Sequence, residues 1–280
     1  MFDNIINEIL ITINSNEYLK KIFYNKTNNR KYNIELLINC ILYILKMGLT
    51  YRAFNILLNF IDNNIKFPYY TTFYKFYMKL LKYDIIKLTY IRLVKKYKSK
   101  NISNKYFMDT TLIVNKLGID KIGFNVQLLK HKTTKLSIIC DNKGIPLNID
   151  ICKGSTNDSK IIINQLIQLS KDKIIKLNNK NFFIGDAGYD SNNIRLILKE
   201  NNLGKLITNK NKRNCKNKEL LNKLNLSKYE KKQLKTRFII EHTNNRIKQF
   251  KRINIRYDKY SNMFINFIYL SSIILLLDKI

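Results

Sequence analysis

Two aspartates occupy positions at which a carboxylate is costly to bury without a partner. Asp186 follows three apolar residues in the segment Asn181–Asp190 (NFFIGDAGYD), and this pattern predicts the end of a buried strand that turns into a helix near Ser191. Asp109 lies in a second strand-like segment, Tyr106–Val114 (YFMDTTLIV). Desolvating a carboxylate costs free energy unless a cation, a metal ion or solvent at the sheet edge compensates it. We therefore expect both side chains to belong to a functional site.

A third acidic residue, Glu241, stands almost alone among basic residues in a helix-like segment that begins near Ser227. An acidic residue in such surroundings is most often part of a surface ion pair. Two features set Glu241 apart from that interpretation. The segment contains the spacing Arg237-x3-Glu241-x6-Lys248, and Glu241 is expected to share a helical face with core-directed neighbours, namely Phe238, Ile239 and Asn245.

The composition indicates a polyanionic partner. The 280 residues include 51 Lys and Arg against 20 Asp and Glu, a formal net charge of +31, and 45% of them are hydrophobic, which suffices for a core. Neutralising phosphates with such a surface releases counterions and favours binding. An AT-rich genome is the alternative source of the lysines, but Glu would then rise as well. We expect nucleic acid as the partner. The sequence contains no P-loop, no glycine-rich nucleotide fingerprint and no Ser-His-Asp set.

Cysteine usage and hydropathy favour an intracellular protein. The cysteines are scattered without a CxxC pair, and only His131 and His242 could complete a zinc site, so zinc is disfavoured. No signal peptide is recognisable at the N-terminus. The one membrane-like segment, Met263–Leu277, is shorter than the roughly 20 residues needed to span a bilayer and contains polar residues. We expect it to be a helix buried against a sheet.

The first hundred residues predict a small helical domain. An apolar stripe indicates a helix over Asn33–Met47, Gly48 suits the left-handed position that ends it, and Thr50 can cap a following helix over Tyr51–Phe60. Two more helices are predicted near residues 71–81 and 84–96. This arrangement is typical of a helix-turn-helix unit, and DNA contact and a plain bundle remain equally open. The tyrosines of the third helix are individually expected in the core: Tyr69, Tyr70, Tyr74 and Tyr77.

From about residue 101 the pattern changes to strands and then to alternating strands and helices. Two hairpin arms, Leu136–Cys140 and Pro146–Ile151, flank a DNKG turn with Gly144. A helix over residues 160–169, the strand ending at Asp186, a helix over residues 192–201 and a strand over residues 205–208 follow. This order predicts an α/β domain with a mixed sheet and helices on its faces. The basic stretch 205–218 has the composition of a solvated loop placed to hold a phosphate backbone.

Other acidic and histidine side chains have structural explanations. Asp158 and Asp190 are expected to cap the helices that follow them, and Asp141 is expected in a turn. His242 adjoins Glu241 but points about 100° away on a helix, so a phosphate or solvent contact is expected for it. His131 is expected on the surface.

The three acidic segments together resemble insertion-sequence-type DDE transposases. The similarity rests on FMDTT (Asp109), GDAGYDS (Asp186) and RFIIEHTNNRIKQFKRI (Glu241), in which Arg237, Glu241 and Lys248 match the Arg-x3-Glu-x6-Lys signature of that family. Leu234 stands where the family often has Tyr. The segments 132–160, 33–54 and 69–80 are also similar to the corresponding parts of such proteins, so the resemblance covers roughly residues 30–280.

The resemblance implies an RNase H-like catalytic domain over residues 101–280, preceded by a helix-turn-helix-like DNA-binding domain over residues 1–100. In such a core Asp109, Asp186 and Glu241 converge as catalytic residues and bind two divalent cations, Mg²⁺ or Mn²⁺, which offset the repulsion of the carboxylates and prefer oxygen ligands. The phosphate-binding residues are expected to be basic side chains after Asp186: Arg237, Lys248, Arg246, Lys210, Lys212 and Arg213.

The activity implied is metal-dependent cleavage at the ends of a mobile element, followed by strand transfer into target DNA. The expected partners are double-stranded DNA, as terminal repeats and target, and further copies of the chain in a homo-oligomer on that DNA. The expected location is on DNA inside the cell. Two alternatives remain open: an RNase H-like nuclease without strand transfer, and a DNA-binding protein derived from a transposase that has lost catalysis.

Overall fold

A computed structural model describes residues 2–24, 32–61, 67–128, 131–209 and 226–280. The chain divides into two compact units, which are described separately. The first comprises Met1–Val94, Lys116–Gly118 and Ile247–Ile280, and the second comprises Lys95–Asn115 and Ile119–Arg246. Residues Ile247–Ile280 therefore belong to the same compact unit as the N-terminal helices. The sequence instead predicts two domains that meet at one boundary near residue 100.

The described elements follow in chain order. The helices are α1 (Asp3–Asn14), α2 (Glu17–Tyr24), α3 (Ile34–Met47), α4 (Tyr51–Ile61), α5 (Tyr70–Lys82), α6 (Ile85–Lys100), α7 (Asp158–Lys171), α8 (Asn192–Glu200), α9 (Lys228–Leu234), α10 (Phe238–Lys248), α11 (Lys251–Asn254) and α12 (Ser261–Leu277). The strands are β1 (Lys105–Asn115), β2 (Gly123–Phe124), β3 (Lys132–Asp141), β4 (Pro146–Lys153), β5 (Phe182–Ile184), β6 (Lys205–Ile207) and β7 (Ile255–Arg256).

Helices α3 and α4 form the predicted helix-turn-helix. The side chain of Asn33 accepts a hydrogen bond from Leu36 N and begins α3, while Gly48 ends it at φ 71°. Thr50 Oγ1 then accepts from Ala53 N at 3.1 Å and caps α4. The two helices meet at 107°, within the range of helix-turn-helix units. Among the described residues no single helix is long and apolar enough to cross a membrane, and α3 with α4 meets that test only as a bent pair.

The apolar segment near the C-terminus forms α12 and is buried, as expected, and within the first unit it lies among helices. It packs on α1, α3, α5 and α11 within the first unit. The hydroxyl of Tyr77 donates to Met263 O at 2.6 Å, and its ring stacks on Phe267 with centroids 4.8 Å apart. Tyr77 is therefore a core residue, as predicted. Tyr69 is not, because it lies just before α5 and is 58% exposed.

The second unit contains the predicted mixed sheet. Strand β3 pairs antiparallel with β1 on one side and with β4 on the other. The short strand β2 pairs antiparallel with the first residues of β3. On the other side of β1, β5 and β6 run parallel to it. The hairpin between β3 and β4 turns at Gly144 (φ 72°), and the Asp141 carboxylate accepts from the backbone of Lys143 and Ile145. Asp141 is thus a turn residue, as predicted, and it also accepts from the Tyr97 hydroxyl.

Helices cover the two faces of this sheet and thereby fix which side chains meet. Asp109 is paired with Ile138 and Thr110 with Ser137, so alternate residues of β1 point to opposite faces. Helix α7 covers the Ser137 face, where Gln165 Nε2 donates to Ser137 O at 3.2 Å. Helix α10 lies over the Asp109 face, because Asn244 contacts Asp109.

Candidate active site

The register of β1 and β5 brings the two predicted aspartates together. These strands are parallel, with Phe107 paired to Ile184. Asp109 lies two residues beyond Phe107, and Asp186 lies two residues beyond Ile184. Equal offsets place both carboxylates at the same level along the two strands, just beyond the end of β5, and on the same face. The convergence expected from the sequence therefore has a structural basis for this pair.

The turn after β5 holds Asp186 in a defined orientation. A Cβ added to Gly185 would lie 2.6 Å from the Tyr189 ring, so only glycine permits this ring to fold back over the strand end. Asp186 Oδ1 accepts from Gly188 N at 2.8 Å and caps the short 3₁₀ turn Ala187–Tyr189. The GDAGY sequence thus fixes the backbone while leaving Asp186 half-buried at the mouth of the strand.

Electrostatic coupling extends the cluster to Glu241 and Arg237. Burial raises the pKa of Asp109 to about 6. The guanidinium of Arg237 and a backbone hydrogen bond at Thr110 lower this pKa, and the negative charges of Asp186 and Glu241 raise it further. Asp186, Glu241 and Arg237 are therefore all close enough to Asp109 to influence its pKa.

Glu241 lies in the first turn of α10 with its side chain exposed. The expectation that it shares a core-directed face is wrong. Its expected companions Phe238 and Asn245 are exposed, Phe238 by 53%, whereas the buried positions follow a different helical stripe: Ile240, Thr243, Asn244 and Ile247. The spacing of that stripe, i, i+3, i+4 and i+7, sets which face packs on the sheet. Glu241 is left at the margin of the cluster.

Asn244 is a site residue that the sequence did not single out. Its side chain is 5% exposed, and Nδ2 donates to Asp109 Oδ2 at 2.9 Å. The amide Oδ1 is buried and has no hydrogen-bond partner among the described residues. Its position three residues after Glu241, on the helix that bears the third acid, is the only signal in the sequence.

Asp158 joins the cluster instead of capping α7. The cap is Asn157, whose side chain accepts from Ser159 N. Asp158 Oδ1 accepts from Thr110 Oγ1 at 3.0 Å and from Lys135 Nζ at 2.6 Å. A Cβ added to Gly188 would lie 3.0 Å from Asp186 Oδ1 and 3.7 Å from Asp158 Oδ2, so these two carboxylates flank one point.

A buried tyrosine, Tyr189, is close to three of these acids. Burial raises the pKa of Tyr189, and the charges of Asp109, Asp158 and Asp186 raise it further. The ring is fully buried. The protonated hydroxyl therefore lies within the electrostatic reach of three carboxylates.

A comparison with protein families decides what this cluster belongs to. The model described as the transposase DDE domain matches residues 120–277, which include Asp186 and Glu241 and begin after Asp109. The chain belongs to this family. Transposases of this class are enzymes that act with divalent metal ions. No curated protein matches the sequence.

Solved structures support the fold of this transposase. The piggyBac transposase, in a synaptic complex with hairpin DNA, has a TM-score of 0.54 at 12% identity, over 99% of this chain and 73% of that one. The Mos1 mariner catalytic domain is 17% identical over 60% of this chain and 87% of that one, with a TM-score of 0.28. At these identities only the piggyBac comparison bears on the fold. The expected RNase H-like α/β core with a helical N-terminal part is confirmed.

The donor chemistry of the transposase site fits a divalent cation only in part. Carboxylate and amide oxygens are the ligands that Mg²⁺ and Mn²⁺ prefer, and Asp109, Asp186 and the unpaired Oδ1 of Asn244 supply them. However, within the described ranges no three His, Cys, Asp or Glu side chains are gathered closely enough to hold an ion. Asp109 and Asp186 therefore supply oxygen ligands of the right kind, without a complete cluster of three among the described residues.

The predicted basic residues differ in what the structure describes. Arg237 is half-buried, and its Nε has no hydrogen-bond partner among the described residues. Arg246 is half-buried on α10, and Lys248 falls in the other compact unit. The remaining three predicted phosphate contacts lie outside the described residues: Lys210, Lys212 and Arg213.

The other predicted residues take structural positions. Asp190 pairs with Arg195 and does not cap α8, because Ser191 occupies the N-cap position. His131 is exposed, as expected. His242 is also exposed, and its ring meets that of Phe238 edge-on with centroids 5.9 Å apart.

Proposed function

We propose that Asp109, Asp186 and Glu241 form the catalytic centre at which this transposase cuts the DNA ends of its element and joins them to target DNA. The observation that carries the proposal is the parallel register of β1 and β5, which sets Asp109 and Asp186 at equivalent positions. The influence of Asp186 and Glu241 on the pKa of Asp109 supports the inclusion of the third acid.

The reaction consists of two phosphoryl displacements. In the first, the oxygen of water attacks a phosphorus atom at the element end, the bond from phosphorus to the 3′ oxygen breaks, and a 3′-hydroxyl is released. In the second, that hydroxyl loses its proton and attacks a phosphorus atom of the target, whose own 3′ oxygen leaves. When bound, two divalent ions would activate the attacking oxygen and stabilise the leaving oxygen.

Asp109 and Asp186 are proposed to hold these ions, Mg²⁺ or Mn²⁺, with Glu241 completing the set. The raised pKa of Asp109 reflects first its burial and then the charges of Asp186 and Glu241, and a bound cation would favour the ionised carboxylate. Glu241 is exposed and can therefore change rotamer when the ions and DNA bind. Such assembly on binding reconciles the proposal with the absence of a gathered trio among the described residues.

Arg237 is proposed to contact a phosphate beside the scissile bond. It is near enough to lower the pKa of Asp109, and a guanidinium can donate to phosphate oxygens. We extend the same role to the other predicted basic residues: Lys248, Arg246, Lys210, Lys212 and Arg213. Residues 1–100, with the helix-turn-helix of α3 and α4, are proposed to bind the terminal repeats. Two ends must be paired, so a homo-oligomer on DNA is also proposed.

A strand-transfer assay tests the proposed function. The protein is incubated with DNA carrying its flanking terminal repeats, target plasmid and Mg²⁺, and Asp186→Ala is compared with wild type. Asp172→Ala is the matched control, because Asp172 is a half-buried acid at the far end of α7. Joined products that disappear only in Asp186→Ala support the proposal. Cleavage without joining indicates a nuclease, and binding without metal-dependent cleavage would overturn both enzymatic functions.

A further inference from the structure

We infer that Asn244 is a positioning residue that orients the Asp109 carboxylate for metal binding, an inference that rests on the proposed function. Asn244 Nδ2 donates to Asp109 Oδ2 at 2.9 Å across 135 positions of sequence. The amide is 5% exposed, so water competes little for this hydrogen bond. The contact therefore restricts how the Asp109 side chain can rotate.

The helix that carries Asn244 is itself fixed on the sheet. The neighbouring Thr243 hydroxyl lies 3.0 Å from Gly144 O and 2.9 Å from Ile239 O. A Cβ added to Gly144 would come within 2.9 Å of Thr243 Oγ1, so helix and hairpin turn approach as closely as glycine allows. Thr243 thus contacts the β3–β4 turn and Asn244 contacts β1, so the position of Asn244 is fixed by the packing of α10 on the hairpin.

An amide suits this place better than a basic side chain would. A lysine or arginine in contact with Asp109 would neutralise the charge that attracts a cation. The amide donates a hydrogen bond without adding a positive charge, so it can orient the Asp109 carboxylate without repelling a cation. The second amide atom, Oδ1, is buried and has no hydrogen-bond partner among the described residues, so the side chain keeps one acceptor in reserve for an ion.

Asn244 also connects the helix that carries Glu241 to the strand that carries Asp109. It lies three residues after Glu241 on the same helix, so the two side chains are neighbours on the helix surface. The hydrogen bond to Asp109 consequently sets the distance between β1 and the turn of α10 that bears Glu241. Loss of the amide is expected to loosen Asp109 and to relax the spacing of both acids.

Binding of Mn²⁺ to the full-length protein tests this role without relying on catalysis. Asn244→Leu removes the donor while keeping a similar volume, and Asn245→Leu is the matched control at the exposed neighbour. Mn²⁺ affinity, measured by electron paramagnetic resonance or calorimetry, should fall about 10- to 100-fold in Asn244→Leu, as for other residues that orient metal ligands. It should stay within about twofold of wild type in Asn245→Leu, and affinity for terminal-repeat DNA without metal should be unchanged in both.

Cleavage provides a second readout that separates positioning from damage to the fold. Raising the Mn²⁺ concentration should recover a large part of the lost rate in Asn244→Leu, which a misfolded protein would not show. Asn244→Gln, which keeps the donor on a longer arm, should bind Mn²⁺ more tightly than Asn244→Leu and replaces it if that variant does not fold. An unchanged Mn²⁺ isotherm in Asn244→Leu, or an equal loss in Asn245→Leu, would overturn the inference. Failure of the proposed function itself would instead appear as absent cleavage by the wild-type protein.

Discussion

Asp109 and Asp186 occupy equivalent positions on two neighbouring parallel strands, each two residues beyond the paired residues Phe107 and Ile184. Because the two strands are adjacent and parallel, residues at equal offsets lie at the same level, so no long loop is needed to bring the carboxylates together. It also explains why both acids follow short apolar runs in the sequence. The remaining parts of the site, on α7 and α10, are placed by the helices that cover the two faces.

The pKa of Asp109 predicts a pH-dependent contribution to stability. Because the folded-state pKa of about 6 lies above the ordinary value of 3.8, the folded protein holds this proton more tightly than the unfolded chain does. The contribution of Asp109 to the free energy of unfolding therefore falls as pH rises from about 4 to about 6. Asp109→Asn should remove it and, without metal, should stabilise the protein at pH 7 by up to about 3 kcal/mol.

Urea unfolding of wild type and Asp109→Asn in EDTA between pH 4 and pH 8 checks this prediction. The two proteins should have similar free energies of unfolding near pH 4 and diverge above it. Asp172→Asn serves as the control carboxyl. A difference between wild type and Asp109→Asn that does not change with pH would contradict the predicted raised pKa.

Divalent cations should stabilise the folded protein by offsetting the repulsion between Asp109 and Asp186. A ligand that binds only the folded state stabilises it by about 2.7 kcal/mol at 100 times its dissociation constant. Wild-type protein should therefore melt at a higher temperature in Mn²⁺ than in EDTA, and Asp109→Asn and Asp186→Asn should lose most of that increase. Thermal unfolding followed by circular dichroism measures it. Equal increases in all three proteins would show that the ion binds elsewhere.

Gly185 should not tolerate a side chain. An added Cβ would lie 2.6 Å from the Tyr189 ring and 3.3 Å from Met108 Cε, so Gly185→Ala should destabilise the protein by about 1–3 kcal/mol and displace Asp186. The same substitution should cost less in a Tyr189→Leu background, because the ring that it meets is gone. A double-mutant cycle from denaturant unfolding measures this coupling. If the two substitutions change the free energy of unfolding additively, the Tyr189 ring is not the reason that position 185 requires glycine.

The ion pair between Lys135 and Asp158 should support the fold of this edge. The Lys135 side chain is 8% exposed and also donates to Thr156 O. Asp158→Asn leaves that ammonium without its charged partner and should cost on the order of 3 kcal/mol. Lys135→Met combined with Asp158→Asn should recover part of the loss. If the double variant is less stable than either single one, as measured in urea, the pair does not act as proposed.

The sequence predicts the parts of this molecule that depend on local patterns. The helix-turn-helix follows from Gly48 and Thr50, and the two aspartates follow from apolar runs that end in a carboxylate. The buried face of α10 could not be chosen, because Phe238 and Ile240 are both apolar and only the sheet decides which one packs inward. The surroundings of α12 are likewise set by helices far away in sequence.

Contacts between distant polar residues were beyond the reach of local patterns. Asp158 has the sequence position of a helix cap, but its carboxylate instead accepts hydrogen bonds from Lys135 on β3 and from the Thr110 hydroxyl on β1. Asn244 carries no motif, and its partner lies on a strand in another part of the chain. In both cases the deciding free energy comes from satisfying buried polar groups, which depends on the tertiary arrangement.

The most direct test of the central claim is to locate the metal ions. Crystals of the protein with terminal-repeat DNA and Mn²⁺, measured at the manganese absorption edge, give the ion positions from anomalous scattering. The shared-ion account predicts manganese bound by Asp109 and Asp186, with the Glu241 carboxylate drawn onto the same ions. Manganese bound away from both aspartates, or Glu241 remaining apart from ions that are present, would contradict it.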